Sequence, residues 1–249
     1  MKGWKRRLYE GYVSSGQAGN PGGTKGLGGP YLDKLIKGHL SPSRDITILD
    51  LACGQGALID ALKRHGYRHI SGVDLSPEQV AAAHARGIAE VECQDLNVFL
   101  RDSAAGAYDV VFLMDILEHL DKQEVFDVLD GVHAALADNG VAIMHVPNAA
   151  GVFGMRARYG DFTHEVAFTP RSMRQILHAC AFDRVVCYEH KPTIHGLRSL
   201  VRCALWEVLT APFRLLLIAE TGTTRHILSQ NMLVVARKRA SHTSGRASR

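Results

Sequence analysis

"ILDLACGQGAL", residues Ile48 to Leu58, is an apolar run of strand length that breaks into a glycine turn and restarts as a helix. Glycines in such a turn let a ligand approach the backbone with no Cβ in the way. The phosphate-binding versions have strict requirements. A Walker loop needs GxxxxGK[ST], and a dinucleotide fingerprint needs GxGxxG. Gly54 and Gly56 supply two glycines, the third position is Ile59, and no lysine follows. Asp50 stands at the mouth of the turn, where its carboxylate would repel a pyrophosphate.

That carboxylate suits a ligand with positive charge near the turn, held directly or through water. S-adenosylmethionine is such a ligand, with an ammonium, a sulfonium and no phosphate. The spacing of later acids extends the reading. Asp74 ends the next strand pattern, 24 residues after Asp50, and Asp95 ends the third, 21 residues further on. An acid at the first of these positions suits a bidentate grip on two ribose hydroxyls. One at the second can accept from an exocyclic adenine amine while the Leu96 amide meets a ring nitrogen. Open α/β sheets bind ligands at these carboxyl ends. The competing explanation is that acids after strands simply cap the following helices.

Outward from this unit the chain alternates. "HISGVDL", "AEVECQDL", "YDVVFLM" and "DNGVAIMHVP" read as strands. Between them lie helices over Ala57 to Arg64, after Ser76 and Pro77 with Gln79 at the capping-box position, and over "KQEVFDVLDGVHAAL". The last of these sets Val125, Phe126, Leu129, Val132 and Leu136 on one stripe. A short helix from Tyr31 to His39 precedes the unit. After it come a helix in "TPRSMRQILHACAF", a strand in "DRVVCYEH" and a final strand in "NMLVVARK". Strand and helix in repeated alternation mark a mostly parallel sheet with helices on both faces.

"LDLACGQG", "GVDLS", "CQDL" and "YDVVFLMDILEHL" resemble the successive motifs of class I S-adenosylmethionine-dependent methyltransferases. The resemblance covers about Tyr31 to Phe182, with Ala52 standing where the family often has glycine. It implies an α/β, Rossmann-like seven-stranded sheet whose last strand is antiparallel, S-adenosyl-L-methionine as cofactor and S-adenosyl-L-homocysteine as product. The cofactor would rest on Asp50, Ala52, Gly54, Gly56, Asp74, Leu75, Asp95, Leu96, Met114 and Asp115. "LEHL", "VPNA" and "RYGDFTHEVAFTPRSMRQIL" resemble bacterial methyltransferases of cell-surface glycan, polysaccharide and lipid biosynthesis, and "LEHL" is also similar to quinone-ring O-methyltransferases.

Methyl transfer to a hydroxyl needs a base, and histidine is the side chain best matched to neutral pH. His164 lies in "GDFTHE" beside Asp161 and Glu165, and Arg156 and Arg158 precede it as a grip for an acidic acceptor. The bland alternative is a loop fixed by hydrogen bonds. His119 in "DILEHL" is the second candidate; its bland alternative, with Glu118, is to hold the turn after the fourth strand.

Composition excludes several classes. The formal charge of +4 arises from the ends: residues 1–10 hold four Lys/Arg and one acid, residues 237–249 hold five and none, and the body is near −4. An acidic body with no [DN]PPY after the fourth strand argues against a nucleic-acid substrate. Five scattered cysteines without CxxC fit reduced thiols in a cytosol, and thirteen histidines without HxH or HExxH give no metal motif. The expected location is cytoplasmic, with the inner face of a membrane as a peripheral contact and a homodimer as a further partner.

The expected organisation is a glycine-rich lid over residues 1–30, a methyltransferase domain over 31–238 with a helical insertion at about 197–222, and a disordered basic tail over 239–249. "CALWEVLTAPFRLLLIA", interrupted by Glu207, Pro212 and Arg214, reads as a helical hairpin broken at Pro212 that covers the pocket or a dimer contact. The other reading is an interfacial helix near a lipid-linked acceptor. Two further function classes stay open: a nicotinamide oxidoreductase with an atypical glycine loop, and a cofactor-binding scaffold without catalysis.

Overall fold

The structure, a computed structural model, describes residue 8 and residues 28–240. The expected lid, apart from residues 28–30, and the tail beyond residue 240 lie outside the described residues. Helix α1 (Gly29–His39) leads into β1 (Thr47–Leu51), α2 (Ala57–Arg64), β2 (His69–Asp74), α3 (Pro77–Ala85), β3 (Val91–Cys93) and α4 (Leu96–Asp102). Next come β4 (Tyr108–Met114), a 3-10 turn (Leu117–His119), α5 (Lys122–Ala135), β5 (Leu136–Pro147), α6 (Gly154–Gly160) and α7 (Pro170–Ala179). The chain closes with β6 (Phe182–Glu189), α8 (Leu197–Thr221) and β7 (Asn231–Lys238).

One seven-stranded sheet forms in the order β3-β2-β1-β4-β5-β7-β6. β7 runs antiparallel to both β5 and β6, so the expected antiparallel last strand is present. The order reverses between β1 and β4, and the crevice at such a switch point lies outside the carboxyl ends of those strands. β1 and β4 are apolar because helices cover both faces: Ile48, Leu49, Leu51, Val111, Phe112 and Leu113 are fully buried. Helices α1 and α2 pack on one face; α5 and α7 pack on the other.

Several local expectations change. β3 is an edge strand of three residues with Glu92 and Cys93 exposed, so Asp95 lies beyond it and caps the seven-residue α4. Phe126 faces out; α5 buries Val125, Val128, Leu129, Val132 and Ala135. Gln79 gives no reciprocal cap: Ser76 Oγ accepts from the Gln79 amide at 3.4 Å, while Gln79 Oε1 is buried without a partner. Residues 197–221 are not a broken hairpin. α8 runs continuously through Pro212, which sits on the exposed side, so water can hydrate the carbonyl one turn before it.

Candidate functional site

β1 delivers Asp50 to the switch point and the turn after it folds back beneath β2. Three residues of this turn have positive φ: Ala52 at 58°, Gly54 at 55° and Gly56 at 73°. Glycine takes that region freely, whereas alanine there carries about 1 kcal/mol of strain. The turn is pinned from β2. Asp74 Oδ2 accepts from the Gly54 amide at 2.8 Å, and Asp74 Oδ1 accepts from the Ser76 amide at 2.9 Å.

Asp50 lies 2% exposed in this turn, and its Oδ1 finds no partner among the described residues. Burial, then the charge of Asp74, raises its pKa from the usual carboxylate value to about 8. Burial also raises that of Asp74, against the lowering effect of the Ser76 and Gly54 amides. A buried acid with an unsatisfied oxygen beside a second, half-buried acid is costly alone and is relieved by a cation.

Asp95 caps α4: its Oδ1 accepts from the Asn97 and Val98 amides at 2.9 and 3.3 Å. The capping role suggested by sequence is therefore occupied by one oxygen. Leu96, the first residue of α4, has an amide with no acceptor inside the helix. Leu75 follows Asp74 and is 48% exposed, an apolar surface at the carboxyl end of β2.

At the end of β4, Met114 is buried and Asp115 turns the chain with φ 55°. A group without a sequence signature stands behind it. Asp115 Oδ1 accepts from His145 Nδ1 at 2.5 Å, and His145 Nε2 meets His190 Nδ1 at 2.7 Å. Tyr31 stacks on the His190 ring at 4.0 Å. Burial, then His145, lowers the His190 pKa to about 4, so His190 is neutral near pH 7. Its Nδ1–H then donates to His145 Nε2, and His145 Nδ1–H donates in turn to Asp115.

The two predicted histidines meet over this edge, their rings 4.7 Å apart at 75°. The Thr163 hydroxyl donates to Asp161 Oδ1 at 2.6 Å, so its oxygen accepts from His119 Nδ1 at 2.7 Å. His164 Nδ1 donates to the Ala157 carbonyl at 3.1 Å. His164 therefore keeps Nε2 as its basic nitrogen. Burial lowers the His164 pKa and keeps the ring neutral. Partial burial would raise Asp161, but bonds from Thr163 and the nearby histidines hold it below the usual carboxylate value. The Asp161 carboxylate thus orients His119 through Thr163 and not the His164 ring; only the Asp161 backbone carbonyl bonds to His164, accepting from its amide at 3.3 Å.

Arg158 donates to the His164 and Glu165 carbonyls at 2.5 and 2.9 Å, and so shapes the loop that carries His164. The Glu165 amide donates to the Glu118 carbonyl at 2.8 Å, joining that loop to the 3-10 turn. Arg156 is exposed on α6. Glu118 is 2% exposed with Oε2 unpartnered; burial, then Asp115, raises its pKa well above the usual value.

A family model described as a methyltransferase domain matches residues 30–187, more than half of the chain. The chain belongs to the methyltransferase-domain family.

Parts of the chain resemble curated proteins over shorter spans. It is 42% identical over 72 residues to a ribosomal protein L11 methyltransferase of Dechloromonas aromatica, covering 28% of this chain and 23% of that protein. It is 36% identical over 78 residues to a ubiquinone biosynthesis O-methyltransferase of Coxiella burnetii, covering 29% and 32%. The chain thus spans about a quarter to a third of the length of these relatives. The crystal structure of a SAM-dependent methyltransferase from Archaeoglobus fulgidus superposes with a TM-score of 0.64 at 18% identity, covering 85% of this chain and 95% of that one. The seven-stranded class I fold and S-adenosylmethionine as the family's cofactor agree with the sequence expectation.

Two features of the candidate site lay outside the sequence reading. The Asp115–His145–His190 chain joins residues 30 and 45 positions apart, so no local motif announces it. Glu118, His119 and His164 also bring three donor atoms within 4.8 Å of one another, an arrangement that can hold a divalent ion although the chain carries no linear metal motif.

Proposed function

We propose that this methyltransferase moves a methyl group from S-adenosylmethionine to an oxygen of a small-molecule, sugar or glycan-linked acceptor. The observation that carries the reading is Asp50: a buried carboxylate with an unpartnered oxygen under a glycine turn, next to a second acid. A cationic ligand can draw the proton from this acid and pair with the carboxylate, whereas a diphosphate gains no such pairing, which favours the sulfonium nucleoside over a nicotinamide dinucleotide.

In this reading Asp50 answers the positive end of the cofactor, Asp74 and Leu75 take the ribose and the adenine face, and Asp95 and Leu96 take the adenine edge. Ala52, Gly54 and Gly56 shape the approach, while Met114 and Asp115 line the methionine end. The acceptor oxygen attacks the methyl carbon in line with the C–S bond. The bond's electron pair goes to sulfur and leaves neutral S-adenosylhomocysteine. The acceptor proton goes to Nε2 of His164, with His119, held by Thr163 and Asp161, as the second imidazole beside it. Alignment supplies much of the rate because the sulfonium is already activated. Arg156 is the exposed cation for an acidic acceptor; Arg158 and Glu165 shape the wall beside it.

Oxygen as the target draws support from the paired imidazoles, which an O–H acceptor needs, and from the name of the Coxiella relative. The test is a thermal shift with S-adenosylhomocysteine and with NADH, followed by a screen of nucleotide sugars and phenols for labelled-methyl uptake. Stabilisation by the homocysteine alone and uptake by a hydroxyl compound support the reading. Stabilisation by NADH alone would reject it.

A further inference from the structure

Helix α8 is built inside out. A surface helix normally turns its apolar stripe to the core. In α8 the buried residues are Ser199 and Thr210, with Cys203, Trp206, Arg214, Leu217 and Ile218 partly covered. Polar bonds fasten the covered side to the body. Arg214 donates to the His226 carbonyl at 2.9 Å and to Glu189 Oε2 at 2.7 Å, and Lys191 pairs with Glu207 at 2.6 Å. The open side carries Leu197, Val201, Val208, Leu209, Leu215 and Leu216, each between 51% and 77% exposed. At 100° per residue these six and the exposed Leu200, Leu205 and Phe213 cover an arc of about 220°, somewhat over half the helix circumference.

We propose that this face lies flat on an anionic lipid surface and sets the crevice at the membrane, so that the acceptor is drawn from the bilayer. Three observations favour lipid over a second copy of the chain. An arc of somewhat over half the circumference is far wider than the narrow a/d seam that pairs two helices. Arg198 and Arg202 are exposed and form no ion pair among the described residues, against Glu220 alone on the acidic side, because Glu207 is held by Lys191. The basic excess at both chain ends has the same sign. With two acids and three arginines, α8 does not span; among the described residues no helix is long and apolar enough to cross a membrane. An in-plane helix with an apolar half and basic neighbours fits the interface.

The location ties the helix to the site. α8 leaves β6 and returns to β7 at the carboxyl edge of the sheet, where Asp74, Asp115 and His164 also lie. After β5, at the same edge, Phe153, Met155, Tyr159 and Phe162 are between 59% and 82% exposed on and beside α6. The docking stands without the methyl-transfer reading; the bilayer-borne acceptor rests on it.

The experiment floats the full chain with vesicles of phosphatidylcholine, alone and mixed with phosphatidylglycerol, at low and high salt. The wild type should float with the anionic vesicles, and less so in salt. Val208→Glu with Leu215→Glu should lower that binding about tenfold or more. Both sites are exposed, so the helix and the thermal shift with S-adenosylhomocysteine should be kept. Val208→Ser with Leu215→Ser is the milder pair if the first expresses poorly. Wild type that stays with the protein fraction, or a double variant that floats as well, overturns the proposal. A wild-type dimer that the double variant splits, without vesicle binding, gives the face to a second copy and also overturns it. A lost homocysteine shift with retained flotation would fault the cofactor reading alone.

Discussion

Replacing Asp50 by asparagine separates a charge from a shape. In the ligand-free protein Asp50 titrates near pH 8, raised by burial and by Asp74. At pH 7 it is mostly protonated, and a cationic ligand must drive that proton off. Binding therefore scales with the ionised fraction. Affinity should rise about tenfold from pH 6 to pH 7 and level off above pH 8, with nearly one proton released per ligand at pH 7. The Asp50→Asn variant cannot ionise at this position, so its affinity should be flat between pH 6 and 7. It should also be weaker than wild type at pH 8 by about 2–5 kcal/mol, the cost of truncating a buried charge pair. Without ligand, the variant should be the more stable protein at pH 8, because a folded-state acid raised from 3.8 to about 8 loses stability progressively across that range as pH rises. Isothermal titration of S-adenosylhomocysteine in buffers of different ionisation enthalpy reads both affinity and protons. Equal pH dependence in wild type and variant, or equal affinity at pH 8, would refute the assignment of Asp50 to the ligand's cation.

His164→Ala should keep the S-adenosylhomocysteine affinity and lower kcat by about 10²–10⁴; a rate within twofold of wild type would move the base elsewhere. Ala52→Gly should relieve the left-handed strain and raise stability by up to about 1 kcal/mol, measured by urea unfolding; a loss of stability would mean that the methyl group packs better than its backbone suffers. His190, depressed to about 4 from 6.5, contributes stability that is complete above pH 6.5 and lost as pH falls towards 4. His190→Phe, which can still stack on Tyr31, should flatten the wild-type decline over that window in unfolding midpoints; an unchanged slope would show that other groups titrate there.

What is legible in the sequence follows the range of the physics. β4 and β7 match their expected bounds, residue for residue, because an apolar run between turn signals is a local signal. β3 keeps only three residues because an edge strand is paired on one side and half exposed. α4 goes unannounced because seven residues show barely two turns of periodicity. Pro212 misleads because a proline breaks a helix only where its freed carbonyl cannot be hydrated, and exposure is not written in the local sequence. The acids of the crevice are readable because each follows a strand at regular spacing. The His145–His190–Tyr31 group is not, since its members meet only after β5, β6 and α1 come together. The pairing of Asp161 with His119 through Thr163, rather than with His164, is likewise set by tertiary folding over 44 residues.

The most direct measurement is a crystal structure of the full chain soaked with S-adenosylhomocysteine. The ligand should lie across the carboxyl ends of β1, β2 and β4, with both ribose hydroxyls on Asp74, adenine beside Leu75 and Leu96, and the sulfur facing Asp115 and the two imidazoles. A ligand seated anywhere else, or an empty crevice under saturating conditions, would contradict the account.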